Sequence, residues 1–98
     1  MTDTDKRLCK DMLMTIKKEL AEVSDRDELI NFFHTARVLV FGRMRAIMLS
    51  EEPIPHIYHT LVNYIDCLEV MIDDPRDTSE DKKELTRNLE EMLGIKKN

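Results

Sequence analysis

The stretch PIPHIYHTLVNYIDCLEVMIDDP, residues 53–75, reads as a helix cut to length, with prolines at its start and Asp-Asp-Pro at its stop. Proline suits a helix's first turn, where its missing N–H has no intrahelical partner anyway, and it pushes the residue before it out of the α region. Inside the stretch Ile54, Tyr58, Leu61, Ile65, Leu68 and Ile72 recur at alternating steps of four and three, the spacing that lines one face of an α-helix. Ile57, Val62 and Met71 widen that face. Tyr64 falls beside the row, and its place is expected to be the rim, with the hydroxyl in water. Residues 51–72 hold Glu51, Glu52, Asp66 and Glu69 with no Lys or Arg, a net charge of −4.

Working outward, SEEPIP (residues 50–55) closes a longer helix expected over about residues 26–49, with Leu29, Phe33, Ala36, Val40, Met44 and Ile47 as its inward row. Phe32, Leu39 and Met48 widen it. Around VLVFG, residues 38–42, this helix is apolar almost all round, so it is expected at the centre of the fold, or else it shows Val38 or Phe41 to a partner, the core being the preferred of the two readings. Gly42 lowers local helix stability and marks a close approach or a bend. Asp25 with Glu28 three residues on forms a capping box that starts the helix. Before it, Cys9, Leu13, Ile16, Leu20 and Val23 line a first helix, broadened by Leu8 and Met12. After it, Thr78 with Asp81, or Ser79, caps a short fourth helix whose inner face is Leu85, Leu89, Met92 and Leu93. Gly94 fits the left-handed position that ends such a helix, followed by Ile95 as a hydrophobic clasp. The 98 residues therefore predict one all-α domain spanning 1–98, an antiparallel four-helix bundle of up-down-up-down order.

A formal net charge of −5 argues against binding a nucleic-acid backbone, which calls for a basic face. The acidity is uneven: residues 26–50 carry four arginines against Asp27 and Glu28, net +2. This block and the acidic one after it are expected to be solvated helix faces that attract each other. Cys9 and Cys67 lie far apart amid helix-patterned apolar residues, so both are expected as reduced core thiols, which suits a reducing cytoplasm. MTDTDKRLCK, residues 1–10, has no apolar signal core, and no uncharged run approaches the length of a membrane span.

Chemistry-bearing patterns are sparse. His56 and His59 share helical spacing but lack a third ligand, so no metal site is expected. His34 stands alone beside Phe32 and Phe33, and Arg43 and Arg45, two apart, point in different directions and form no anion clamp. There is no Gly-rich phosphate loop, HExxH or nucleophile elbow. Most of the methionines fall on inner faces. The expectation is a protein that is not an enzyme and takes no cofactor.

The order of a polar amphipathic helix, a long second helix, a third helix carrying LVNYI (Leu61 to Ile65) followed by DCLEVMIDD, and a short last helix resembles the bacteriocin immunity proteins of the enterocin A and pediocin type. The resemblance implies a cytoplasmic four-helix bundle, free or peripheral to the inner face of the membrane, that protects a Gram-positive producer from a pore-forming peptide. It further implies a non-enzymatic action at the membrane sugar-transporter receptor with bound bacteriocin, with no membrane insertion by the immunity protein itself. Carried onto this chain, it places partner contacts at Asn63 and Tyr64, at Pro75 and Arg76 in the loop, and at Ile95, Lys96 and Lys97 at the end. The chain departs from the family in its acidic charge and in the four residues that follow Gly94. The competing expectation is a small helical interaction module or regulator that dimerises through its second helix. The implied state is a monomer or weak dimer.

Overall fold

Each helix of the protein begins or ends where local chemistry satisfies its stray backbone groups. The computed structural model describes residues 2–74 and 79–95. Among them four helices follow in order, α1 (Asp3–Glu22), α2 (Arg26–Leu49), α3 (His56–Asp73) and α4 (Ser79–Leu93), with no strand. Thr2 caps α1 by accepting from the Asp5 amide at 3.1 Å, and Asp25 caps α2 by accepting from the Glu28 amide at 2.9 Å. The end of α2 is not made by the prolines alone. Glu51 turns into the left-handed region with φ 58°, and its amide and that of Glu52 donate back to Met48 and Ile47. The left-handed conformation costs a non-glycine residue about 1 kcal/mol.

The end of α4 follows the expected pattern. Gly94, at φ 69°, donates to Glu91 O at 3.2 Å and Ile95 donates to Glu90 O at 2.9 Å, the paired bonds of a Schellman motif, with Ile95 packed against the core. A Cβ at Gly94 would meet only the flexible end of Lys6, at 3.5 Å, so the cost of alanine there is conformational. Gly94→Ala is expected to lower stability by about 1 kcal/mol, read from the midpoint of urea unfolding, and Gly94→Asn by less, since Asn tolerates this conformation. The caps expected at Thr78 and Ser79 fall partly outside the described residues.

The helices form the expected antiparallel four-helix bundle, but its centre is α3 rather than α2. Eight residues of α3 are buried against five of α2 and four of α1. α3 packs most extensively on α4 and α2 and also touches α1. The predicted rows supply the core: Cys9, Leu13 and Ile16 from α1, Phe33, Ala36, Val40, Met44 and Ile47 from α2, and Leu89 and Leu93 from α4 close around Leu61, Tyr64 and Ile65 of α3. The charge blocks do attract each other: Arg37 of α2 reaches Asp66 and Glu69 of α3, both at 2.7 Å, and Arg26 reaches Asp73 at 2.9 Å. Lys17 of α1 holds the nearly buried Glu90 of α4 at 2.8 Å. No described helix is long and apolar enough to cross a membrane.

Candidate interaction surface

The residues expected to meet a partner do not form one surface. Asn63 is exposed and lines an open, acid-rimmed cleft between α3 and α4 with Asp66, Asp81 and Glu84. Tyr64, expected at the rim, is instead 1% exposed. α4 covers that flank of α3, and the Tyr64 hydroxyl is hydrogen-bonded to the Thr86 side chain. Burial pushes the phenol's pKa up, with the Thr86 bond offsetting part of the shift. Tyr64 is thus a core residue joining two helices and is not available to a partner. Ile95 is half-buried as the clasp of α4. Pro75, Arg76, Lys96 and Lys97 lie outside the described residues. His56 and His59 are exposed, with ring centres 6.4 Å apart, and among the described residues no group of three or more His, Cys, Asp or Glu is placed to hold a metal ion.

A polar cluster that the sequence reading missed lies between α1, α2 and α3. Asp5, 4% exposed, accepts from Thr2 Oγ1 at 2.8 Å on one oxygen. Its other oxygen accepts from the Tyr58 hydroxyl and from Arg43 Nη2 and Nε at 3.0 and 3.3 Å. Burial alone would raise the carboxyl's pKa, but the bonds from Tyr58, Thr2 and Arg43 more than offset it and hold it at about 2. The Tyr58 phenol is pushed up, by burial and by donating to Asp5. A cavity of about 240 Å³ adjoins the cluster, lined by Leu8, Cys9, Met12, Leu39 and Leu61 together with Tyr58 and Arg43. Both Asp5 oxygens already accept internal bonds, and burial pushes the Cys9 thiol up to about 11, which keeps it protonated and a poor nucleophile. The cluster therefore pins three helices together. The signal for it was present: Asp5 sits four residues before Cys9 and extends the row Cys9, Leu13, Ile16 by one turn.

The larger anomaly is the outward side of α2. Val38 is 57% exposed, Leu39 60%, Phe41 47%, Met48 60% and Leu49 74%. Of the two places expected for Val38 and Phe41, the preferred one in the core is not the one they take, because the buried side of α2 is the one that carries Phe33, Ala36, Val40 and Ile47. By helical spacing Val38, Gly42, Arg45 and Leu49 run along the outermost line, with Leu39 and Ala46 on one flank and Phe41 and Met48 on the other. No Asp or Glu occurs from Leu29 to Ser50. Arg37 and Arg43 are taken up within the chain, while Arg45 makes no ion pair with the described residues. A Cβ at Gly42 would touch nothing within 4 Å among the described residues, so none of them makes the expected close approach at this glycine. A glycine in a helix interior costs about 1 kcal/mol relative to alanine, and no contact with the described residues accounts for it here.

Comparison with known protein families, with curated proteins and with solved structures returns no match to this chain.

Proposed function

We propose that the protein acts by binding another protein chain rather than by turning over a small molecule, and that the outward face of α2 is its contact surface. The observation that carries this is the exposure of Val38, Leu39, Phe41, Met48 and Leu49 within twelve residues of one helix. Scattered exposed apolar residues need no explanation, but five large ones within twelve residues of one helix on a small acidic domain mark an interaction site. The function is that of a small helical interaction module or regulator.

Radical footprinting in intact cells that express the protein tests this. Leu49 and Met48 on α2 are to be compared with Met14 on α1 and Val70 on α3, which are 57% and 48% exposed and serve as internal controls. The expected result is at least about threefold slower modification of the α2 side chains than of the controls, as burial in an interface core excludes the solvent radical. Equal modification would show an unoccupied face and sink the reading.

Bacteriocin immunity is the more specific second reading, favoured by the four-helix order and by Asn63 exposed at the α3/α4 cleft. In this form the protein would work in the cytoplasm, at the inner face of the membrane, on the sugar-transporter receptor with its bound peptide. A sensitive Gram-positive host expressing the chain, challenged with a panel of pediocin-like peptides, is expected to survive one or a few of them. Loss of that survival in a Leu49→Asp variant, with an Asn63→Ala variant unaffected, would place the receptor contact on α2. No survival across the panel, with the protein abundant, would remove the immunity reading and leave the module.

A further inference from the structure

We infer that the cavity where α1, α2 and α3 meet binds a small uncharged apolar molecule, about the size of one substituted aromatic ring, which becomes part of the packing between α1 and α2. The site is separate from the contact surface proposed for α2 and does not depend on it. The cavity holds about 240 Å³. An apolar cavity of about 150 Å³ in another protein stays dry and takes up benzene, so this one has room for a ring with a substituent. Its floor is Cys9, Val40, Tyr58 and Leu61, each at most 4% exposed. Leu8 and Leu39, at 45% and 60%, are its most exposed apolar walls and form the mouth.

The chemistry of the occupant follows from the polar atoms of the wall, which are spent on one another. The Tyr58 hydroxyl donates to Asp5 and is hydrogen-bonded to Arg43 and to the Cys9 thiol, while Arg43 donates to Asp5 through Nε and Nη2. A buried water needs two to four polar partners, which this wall does not offer. An ion fares worse. A carboxylate would lie beside the ionised Asp5 and a cation beside Arg43, and each would give up its hydration where the opposite charge is already paired. An uncharged apolar molecule gives up nothing and covers Leu8 and Leu39 as well. It would also touch Leu8 and Met12 of α1 and Leu39 and Val40 of α2 at once, on a seam where these two helices make only slight contact.

Toluene, benzoate and benzylamine test the proposal on the full chain at neutral pH, since they present the same ring neutral, negative and positive. In methyl NMR titrations toluene is expected to give saturable shifts at Leu8, Leu39, Val40 and Leu61 with a Kd of about 1 mM or tighter. The methyls of Leu49 and Val70, exposed elsewhere, are expected to move little. Benzoate and benzylamine are expected to bind at least about tenfold more weakly. Amide exchange along α1 is expected to slow by at least about fivefold near saturation, because opening the seam releases the ligand. Val40→Phe, which puts a ring into the cavity, is expected to weaken toluene binding by at least about tenfold. Leu39→Trp narrows the mouth from an exposed position that leaves the fold intact, and is expected to do the same. The proposal is overturned if toluene gives no saturable shift, or if its shifts centre on Leu49 or Val70. Benzoate binding as tightly as toluene overturns it too, as does undiminished toluene binding in Leu39→Trp and in folded Val40→Phe.

Discussion

Phe33→Ala is expected to lower the free energy of unfolding by about 4 kcal/mol, the usual cost of removing a buried aromatic ring and leaving a cavity. For a domain of this size that corresponds to a fall in Tm on the order of 20 °C, measurable by calorimetry or by far-UV circular dichroism. Phe33 is fully buried on the side of α2 that meets α3. Phe41 has the same side chain on the same helix and is 47% exposed, so Phe41→Ala is expected to change stability by no more than about 0.5 kcal/mol. Phe32, half-buried with its ring edge-on to Phe33 at 5.6 Å, falls between them. The contrast tests how α2 is rotated about its own axis. Equal losses at Phe33 and Phe41 would mean that the outward face described above is not outward.

The second large effect belongs to Asp5. Asp5→Ala leaves the buried Tyr58 hydroxyl without its acceptor and removes the bonds from Arg43 and Thr2, and is expected to cost about 2 kcal/mol or more. Tyr58→Phe, which leaves Asp5 its other two partners, is expected to cost about 1 kcal/mol. The pH dependence has a definite sign. The Asp5 carboxyl titrates at about 2 in the folded protein against about 3.9 for an unfolded aspartate, so the folded state favours the ionised form. The stability it contributes is fully present above about pH 4 and is lost as pH falls toward 2. Urea midpoints measured from pH 6 down to pH 2 are expected to fall more steeply for the wild type than for Asp5→Asn. Parallel curves would mean that Asp5 is not held as the structure describes.

The limits of sequence reading can be traced to particular residues. Asp25, the prolines at 53 and 55, and Gly94 act through the backbone within a few residues, so the bounds of the helices were legible. The inward rows were legible for the same reason, since a spacing of three and four reports one face of one helix. Tyr64 was misplaced because periodicity treats each helix as having one covered side, whereas α3 meets three neighbours and α4 covers the flank where Tyr64 lies. For Val38 and Phe41 the core was preferred over an exposed face by the converse error. An apolar circumference on α2 says that something must cover it, but the chain itself covers only one side. Asp5 was overlooked because its inward position makes sense only with Arg43 and Tyr58 beside it, and neither is near it in sequence. The partner contacts carried over from a family resemblance suffered most: Tyr64 is core, and Asn63 opens onto the cleft between α3 and α4 rather than onto the apolar face of α2.

The way α1 is held also bears on the order in which the protein is made. Asp5 is 53 residues from Tyr58, and Lys17 is 73 residues from Glu90. A ribosome adding roughly 5–20 residues per second releases α1 several seconds before either of those anchors exists. During that interval α1 is a lone amphipathic helix with nothing to bury Cys9, Leu13 and Ile16 against except the growing α2. Its contact with α2 is slight compared with the packing of α3 on α2 and α4, and so is its contact with α4. α3 is therefore the segment whose emergence gives α1 and α2 a common partner.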